Sequence, residues 1–187
     1  VVVFLSMFIY YFVIGFFFVP SNAMRPGVIA GDYILVNRTA YGVKAPFSDR
    51  IMIAGDDIKR ADLVVFRYPL STDLIFLKRI IAISGDRVEY RNKVLKINEH
   101  IIVDKEIKKG QYEESAMNEV VAGYTASANN LKVIELEETI DGKSFAIIQQ
   151  PDTPTYFSTN GEAPVFPLSN SCVYDEDGFV CKVPKNH

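Results

Sequence analysis

Apolar residues are distributed along this chain in three ways, and each pattern predicts a different kind of segment. Residues 1–19 are apolar apart from Ser6 and Gly15. A helix needs roughly 20 such residues to cross a bilayer, so a transmembrane helix is one reading. A secretory signal peptide is a second, because Ser21-x-Ala23 has the small-x-small form of a cleavage site. A strand through Phe16-Phe17-Phe18-Val19 is a third. They combine in a helix that ends near Gly15 and continues as a strand at the bilayer surface, a depth that suits aromatic residues.

From residue 20 to residue 97 the pattern is one of short apolar runs broken by turn residues. Pro20 stops the first run, and Gly31-Asp32 introduces Tyr33-Ile34-Leu35-Val36, which reads as a buried strand. Residues 61–69 form a strand stopped by Pro69, and residues 74–83 form the next, ending at the turn Ser84-Gly85-Asp86. Residues 87–90 and 93–97 read as a hairpin around Arg91-Asn92. With β-branched residues abundant, these strands predict an all-β unit whose sheet closes into a barrel-like sandwich.

The third pattern covers residues 98–170, where charged and polar residues dominate and the strands are weaker. Residues 133–136 and 144–148 are the candidates, and Pro151, Pro154, Pro164 and Pro167 punctuate the end. This reads as an accessory β insertion. Residues 171–187 hold Cys172 and Cys181 around Asp175-Glu176-Asp177-Gly178, a spacing that suits a hairpin turning at Asp177-Gly178. The two cysteines are either a cross-strand disulfide or two free thiols. A disulfide would stabilise by about 2–3 kcal/mol and would imply an oxidising compartment such as the bacterial periplasm.

Composition narrows the field. A length of 187 residues allows one or two small domains with a real core. The net charge of -3 gives no electrostatic case for nucleic acid. His100 and His187 have no ligand-spaced neighbours, so neither a metal nor any other cofactor is expected. The chain starts without Met inside an apolar run and stops after Val183-Pro184-Lys185-Asn186-His187, so it reads as a fragment of a longer protein.

Lys78 is the residue with the most chemistry in reach. In a strand it shares a face with Leu74, Phe76 and Ile80, while Arg79 points to the other face, so one of the two cations must sit on an apolar face. A buried Lys loses its proton more readily and can act as general base for a Ser hydroxyl. An edge-strand Lys that snorkels to solvent is the competing reading.

Pro20-Ser21-Asn22-Ala23-Met24 with Gly31-Asp32-Tyr33-Ile34-Leu35-Val36 resembles the first two sequence boxes of bacterial type I signal peptidases. Ala61-Asp62-Leu63-Val64-Val65-Phe66, then Leu77-Lys78-Arg79-Ile80 and Ser84-Gly85-Asp86-Arg87-Val88, resembles the third and fourth boxes. The likeness continues through Lys93-Val94-Leu95-Lys96-Ile97-Asn98, and the segment from Cys172 to Pro184 is similar to proteobacterial members. Each box alone is weak, and their order and spacing make the signal.

The resemblance implies a transmembrane or interfacial segment at 1–19, a catalytic β domain at 20–97, an accessory insertion at 98–170, and a return to the catalytic domain at 171–187. It implies a serine endopeptidase of the bacterial inner membrane, facing the periplasm, that removes signal peptides from exported preproteins with a Ser/Lys dyad. By the same resemblance Lys78 is the general base, and Ser21 with the backbone N–H of Ala23 forms the oxyanion hole. Ala23 itself stands where the nucleophilic Ser belongs, so the chain as written is expected to be inactive. Gly27 replaces the usual Thr after the Pro, and the last box, a Gly-Asp-Asn-Arg type of segment, would begin just after His187. The alternative is a catalytically dead relative that binds signal peptides or partners at the membrane. A self-cleaving repressor shares the dyad logic, but the apolar run, the paired cysteines and the lack of a DNA-binding helix pair argue against it.

Overall fold

The computed structural model describes Val2 and residues 13–44, 50–112, 131–151, 169–175 and 177–185. Apart from one 3-10 turn at Ser169–Ser171, the regular elements among these residues are strands, fourteen in all. The all-β expectation therefore holds. The expected membrane helix falls mostly on residues outside the described set, and among the described residues no helix is long and apolar enough to cross a membrane.

The chain divides into two compact units. The first comprises Val1–Ala23 and Val28–Lys59. Its apolar run becomes strand β1 (Ile14–Phe18), which pairs antiparallel with β2 (Tyr33–Asn37). The strand thus starts at Ile14, two residues before the expected Phe16. Facing pairs Phe16↔Leu35 and Phe18↔Tyr33 put four large side chains on one face, and all four are exposed. The expectation of a buried strand at 33–36 is corrected here. Tyr33 and Leu35 turn outward while Ile34 and Val36 turn inward, as strand alternation requires. A second hairpin, β3 (Gly42–Lys44) with β4 (Ile51–Ala54), follows in the same unit.

The second unit comprises Met24–Gly27 and Arg60–His187. Strand β5 (Leu63–Tyr68) stops before Pro69 and pairs antiparallel with β6 (Ser71–Arg79). Then come β7 (Arg87–Arg91), β8 (Val94–Ile97) and β9 (His100–Ile101). The hairpin between β7 and β8 turns at Asn92-Lys93, one residue later than expected, and both residues have positive φ. Two left-handed residues twist the turn to match the strands, and Asn accepts that conformation readily. Lys93 is tied down by its Nζ, which donates to Pro151 O at 2.7 Å and also to Gln150 O.

Strands β10 (Lys105–Tyr112), β11 (Leu131–Ile140) and β12 (Lys143–Gln149) form a three-stranded antiparallel sheet. Expectation had only short pieces of β11 and β12 and missed β10, whose Lys-Glu-Ile-Lys-Lys-Gly sequence carries no apolar alternation. Strands β13 (Cys172–Asp175) and β14 (Gly178–Lys182) complete a five-stranded sheet in the order β13-β14-β7-β8-β9. The core lies between the sheets of this unit, where Ala61, Val88, Leu95, Ile97 and Ile140 are buried together with Tyr90, Phe145 and Phe179 against them.

The turn of the last hairpin lies one residue earlier than expected, because Gly178 already pairs with Asp175. Asp175 Oδ1 accepts from the backbone N–H of Asp177 at 3.1 Å and of Gly178 at 3.0 Å. Gly178 also packs directly on β7, where an added Cβ would lie 1.9 Å from the Tyr90 carbonyl oxygen. Gly178→Ala is expected to force β14 away from β7 and to lower stability by about 1–3 kcal/mol, the usual scale for overpacking. Denaturant unfolding of the two proteins measures it.

Candidate functional site

The segment from residue 19 to residue 32 is closed by backbone bonds. Val19 N donates to Asp32 O at 2.9 Å, and Gly31 N donates to Val19 O at 2.9 Å. Asp32 Oδ2 accepts from Ile29 N at 2.9 Å, and Asn22 Oδ1 accepts from Ala30 N at 3.0 Å. Asn22 thereby pins the stretch that holds Ser21 and Ala23. Ser21 is half-buried and Ala23 is exposed.

Lys78 and Arg79 occupy the end of β6, opposite Val64 and Leu63 of β5. The ladder continues past the strands, with Ala61 N donating to Ile80 O at 2.6 Å and Ile80 N to Asp62 O at 2.9 Å. It is Arg79 that takes the inward face. Its guanidinium lies 4.1 Å from the Phe145 ring centroid, and its Nη1 donates to Ala61 O at 2.8 Å. Burial pushes its pKa down from the usual Arg value. Among the described residues Lys78 is exposed while Arg79 is half-buried. A planar guanidinium stacks on an aromatic ring and keeps a carbonyl partner, which makes it the better cation for the inward position.

Ser21 and Ala23 belong to the first compact unit and Lys78 to the second. Each is therefore placed within its own unit.

The turn after β6 is held by a buried carboxylate that sequence reading did not single out. Asp86 is 5% exposed. Its oxygens accept from Arg60 Nε and Nη2, both at 2.7 Å, from Ile83 N at 2.8 Å and from Asn98 Nδ2 at 2.8 Å. Chiefly through the Arg60 hydrogen bonds, its pKa is held down at about 2. Arg60 reaches on to Asp141 at 2.8 Å, so one guanidinium ties the β6–β7 turn to the β11–β12 turn. Around the same turn, Ser84 Oγ donates to Pro184 O at 3.0 Å and Gly85 N to Val183 O at 3.1 Å. Signals for this network were present in the Gly-Asp turn and in Asn98 after a strand. The pairing itself joins residues far apart in sequence.

Cys172 and Cys181 face each other in the β13–β14 hairpin and form a disulfide. Among the described residues no group of three or more His, Cys, Asp or Glu could hold a metal ion.

Comparison with known proteins places the chain in a family. The family model described as signal peptidase, peptidase S26, matches residues 1–151. The chain is 36% identical over 105 residues to signal peptidase I of Pseudomonas aeruginosa, covering 56% of this chain and 37% of the relative. It is 40% identical over 72 residues to signal peptidase I of Aquifex aeolicus, covering 38% of this chain and 23% of the relative. Against signal peptidase I of Rickettsia akari it is 29% identical over 168 residues, covering 86% of this chain and 52% of the relative. The chain thus spans between about a quarter and a half of the length of these relatives.

Proposed function

We propose, from the premise that the chain belongs to the signal peptidase family, peptidase S26, that it is the greater part of the catalytic region of a membrane-anchored serine endopeptidase. Its substrates are exported preproteins, and its site faces the periplasm from the bacterial inner membrane. The observation that carries the reading is the run of ordered family boxes inside the matched residues, with Lys78 on a paired strand and Ser21 on a pinned turn. Residues 98–170 serve as an accessory insertion, and residues 20–97 as the catalytic β domain. The exposed row of Phe16, Phe18, Tyr33 and Leu35 supports contact with the bilayer surface.

The chemistry is acyl transfer. A Ser at position 23 would attack the carbonyl carbon before the scissile bond, while the Lys78 amine takes its hydroxyl proton. The developing oxyanion accepts hydrogen bonds from Ser21 Oγ and from the backbone N–H of residue 23. The proton then passes to the leaving amine, and water opens the ester with Lys78 again as base. Ala23 has no oxygen to offer, so this chain binds a signal peptide without forming the ester. Ala23 together with Gly27 fits equally well the second reading, a signal-peptide binding relative that has given up turnover.

Binding tests both readings at once. A signal-peptide analogue ending in a small-x-small motif is expected to shift the backbone resonances flanking Ser21 and Lys78. If neither region responds at saturating peptide, the assignment of these two segments to peptide binding fails.

A further inference from the structure

Strand β11 presents Ile134, Leu136, Glu138 and Ile140 on one face, so Glu138 sits at a core position of the alternation. It is only 9% exposed. The pairing Lys105↔Glu137 places Asp104, the residue before β10, directly opposite Glu138. The two carboxyls stand opposite each other across the ladder, and among the described residues the Oδ1 atom of Asp104 is buried with no hydrogen-bond partner. Two carboxyls can hydrogen-bond only if one of them carries a proton.

The other groups around Glu138 come from three strands. From β12, Phe145 faces Glu138 in register. From β6, Arg79 covers that ring at 4.1 Å and is close enough to attract the carboxylate. From β7, the Tyr90 hydroxyl is held up by burial and by the two nearby carboxyls. Among the described residues Lys143 is paired with Asp62 at 2.7 Å and Arg60 with Asp141 at 2.8 Å, while Lys105 stands opposite Glu137 on the alternate face of the ladder. Among the described residues Arg79 is the cation that acts on the Glu138 carboxyl, and it immediately follows Lys78.

We propose that Glu138 and Asp104 share one proton, and that this proton sets where Arg79 and the β6 end carrying Lys78 are held. Glu138 is then a positioning residue for the candidate base, which rests on the reading of Lys78 given above. With the proton in place, the pair carries one negative charge, and Arg79 keeps its bond to Ala61 O. Without it, two adjacent carboxylates repel each other and draw the guanidinium toward them. The carbonyl bond at the strand end is then lost, and the backbone at Lys78 moves with it.

Burial, and then the Asp104 carboxyl, push Glu138 up to about 7 from its ordinary 4.5. The folded chain thus holds a proton that the unfolded chain releases. Stability should fall as pH rises from about 4.5 to about 7 and level off above that.

The test is a carboxyl-carbon and backbone-amide titration by NMR of the protein as it stands, beside Glu138→Gln and Asp104→Asn. Glu138 should titrate near 7, and the Lys78 amide should shift with the same midpoint. Glu138→Gln should abolish the Lys78 step and flatten the thermal midpoint across that range. Asp104→Asn should move the step to lower pH, and it serves as the test should the Gln variant fail to fold. Ordinary carboxyl titration in both residues, a Lys78 amide that stays still, or a Lys78 step that survives Glu138→Gln would each overturn the proposal. No cleavage is read, so its failure leaves the dyad reading standing. A failure of the dyad would leave this titration as it is.

Discussion

Ala23→Ser in the full-length protein is expected to turn on preprotein cleavage from background, and Lys78→Ala added to it is expected to return the rate to background. The size of the effect follows from what is missing. A serine protease without its nucleophile loses roughly six orders of magnitude in turnover, and removing the base costs about as much, because the two act as a unit. The Ser variant should therefore gain at least about 10⁴-fold over Ala23, limited by how well the restored hydroxyl is aligned. Ser21→Ala in the same background should lose about 100-fold or more, since one of two oxyanion donors is removed while the other stays. Cleavage of a labelled preprotein by the three variants decides the matter. If the Ser variant remains silent while the peptide still binds, more than the nucleophile has been lost, and the binding reading takes over.

Asp86→Ala is expected to be the most destabilising single change outside the site, by about 3–5 kcal/mol, because it strips a buried ion pair of one partner. Arg60 would keep Asp141 alone, and Ile83 N and Asn98 Nδ2 would lose their acceptor. The carboxyl's depressed pKa gives the effect a pH signature. Its stabilisation is fully present above the ordinary Asp value of 3.8 and drains away as pH falls toward about 2. A shift of that size corresponds to about 2 kcal/mol. Equilibrium unfolding at neutral pH and near pH 2 should therefore show the wild-type and Asp86→Asn proteins converging in acid. Parallel curves would mean that Asp86 gains nothing from being charged.

These two sites also show what was legible in the sequence. The strand-rich class, the stop at Pro69, the Ser84-Gly85-Asp86 turn and the paired cysteines could be read because each is a local signal. Hairpin turns were off by one residue wherever the choice depended on which residue takes positive φ, as at Asn92-Lys93. Strand β10 was missed because its stability comes from pairing with β11, which its own polar sequence does not announce. Strand alternation said that Lys78 and Arg79 must part ways, and it could not say which turns inward. That depended on Phe145 and Ala61 being in place to receive a guanidinium. Glu138 was visible in principle as an acid in an apolar row, but its partner Asp104 emerges only from the register.

The five-stranded sheet has a consequence for the order of events in a growing chain. Strand β7 receives one neighbour at once from β8, but its other edge waits for β14, with residues 92–177 between them. Until β14 arrives that edge is an unpaired ladder, open to association with other extended chains. Its closure brings in the Cys172–Cys181 hairpin as its last member. Pulse-labelled chains should show the β7 edge protected from protease only after the Cys172–Cys181 hairpin has docked on it.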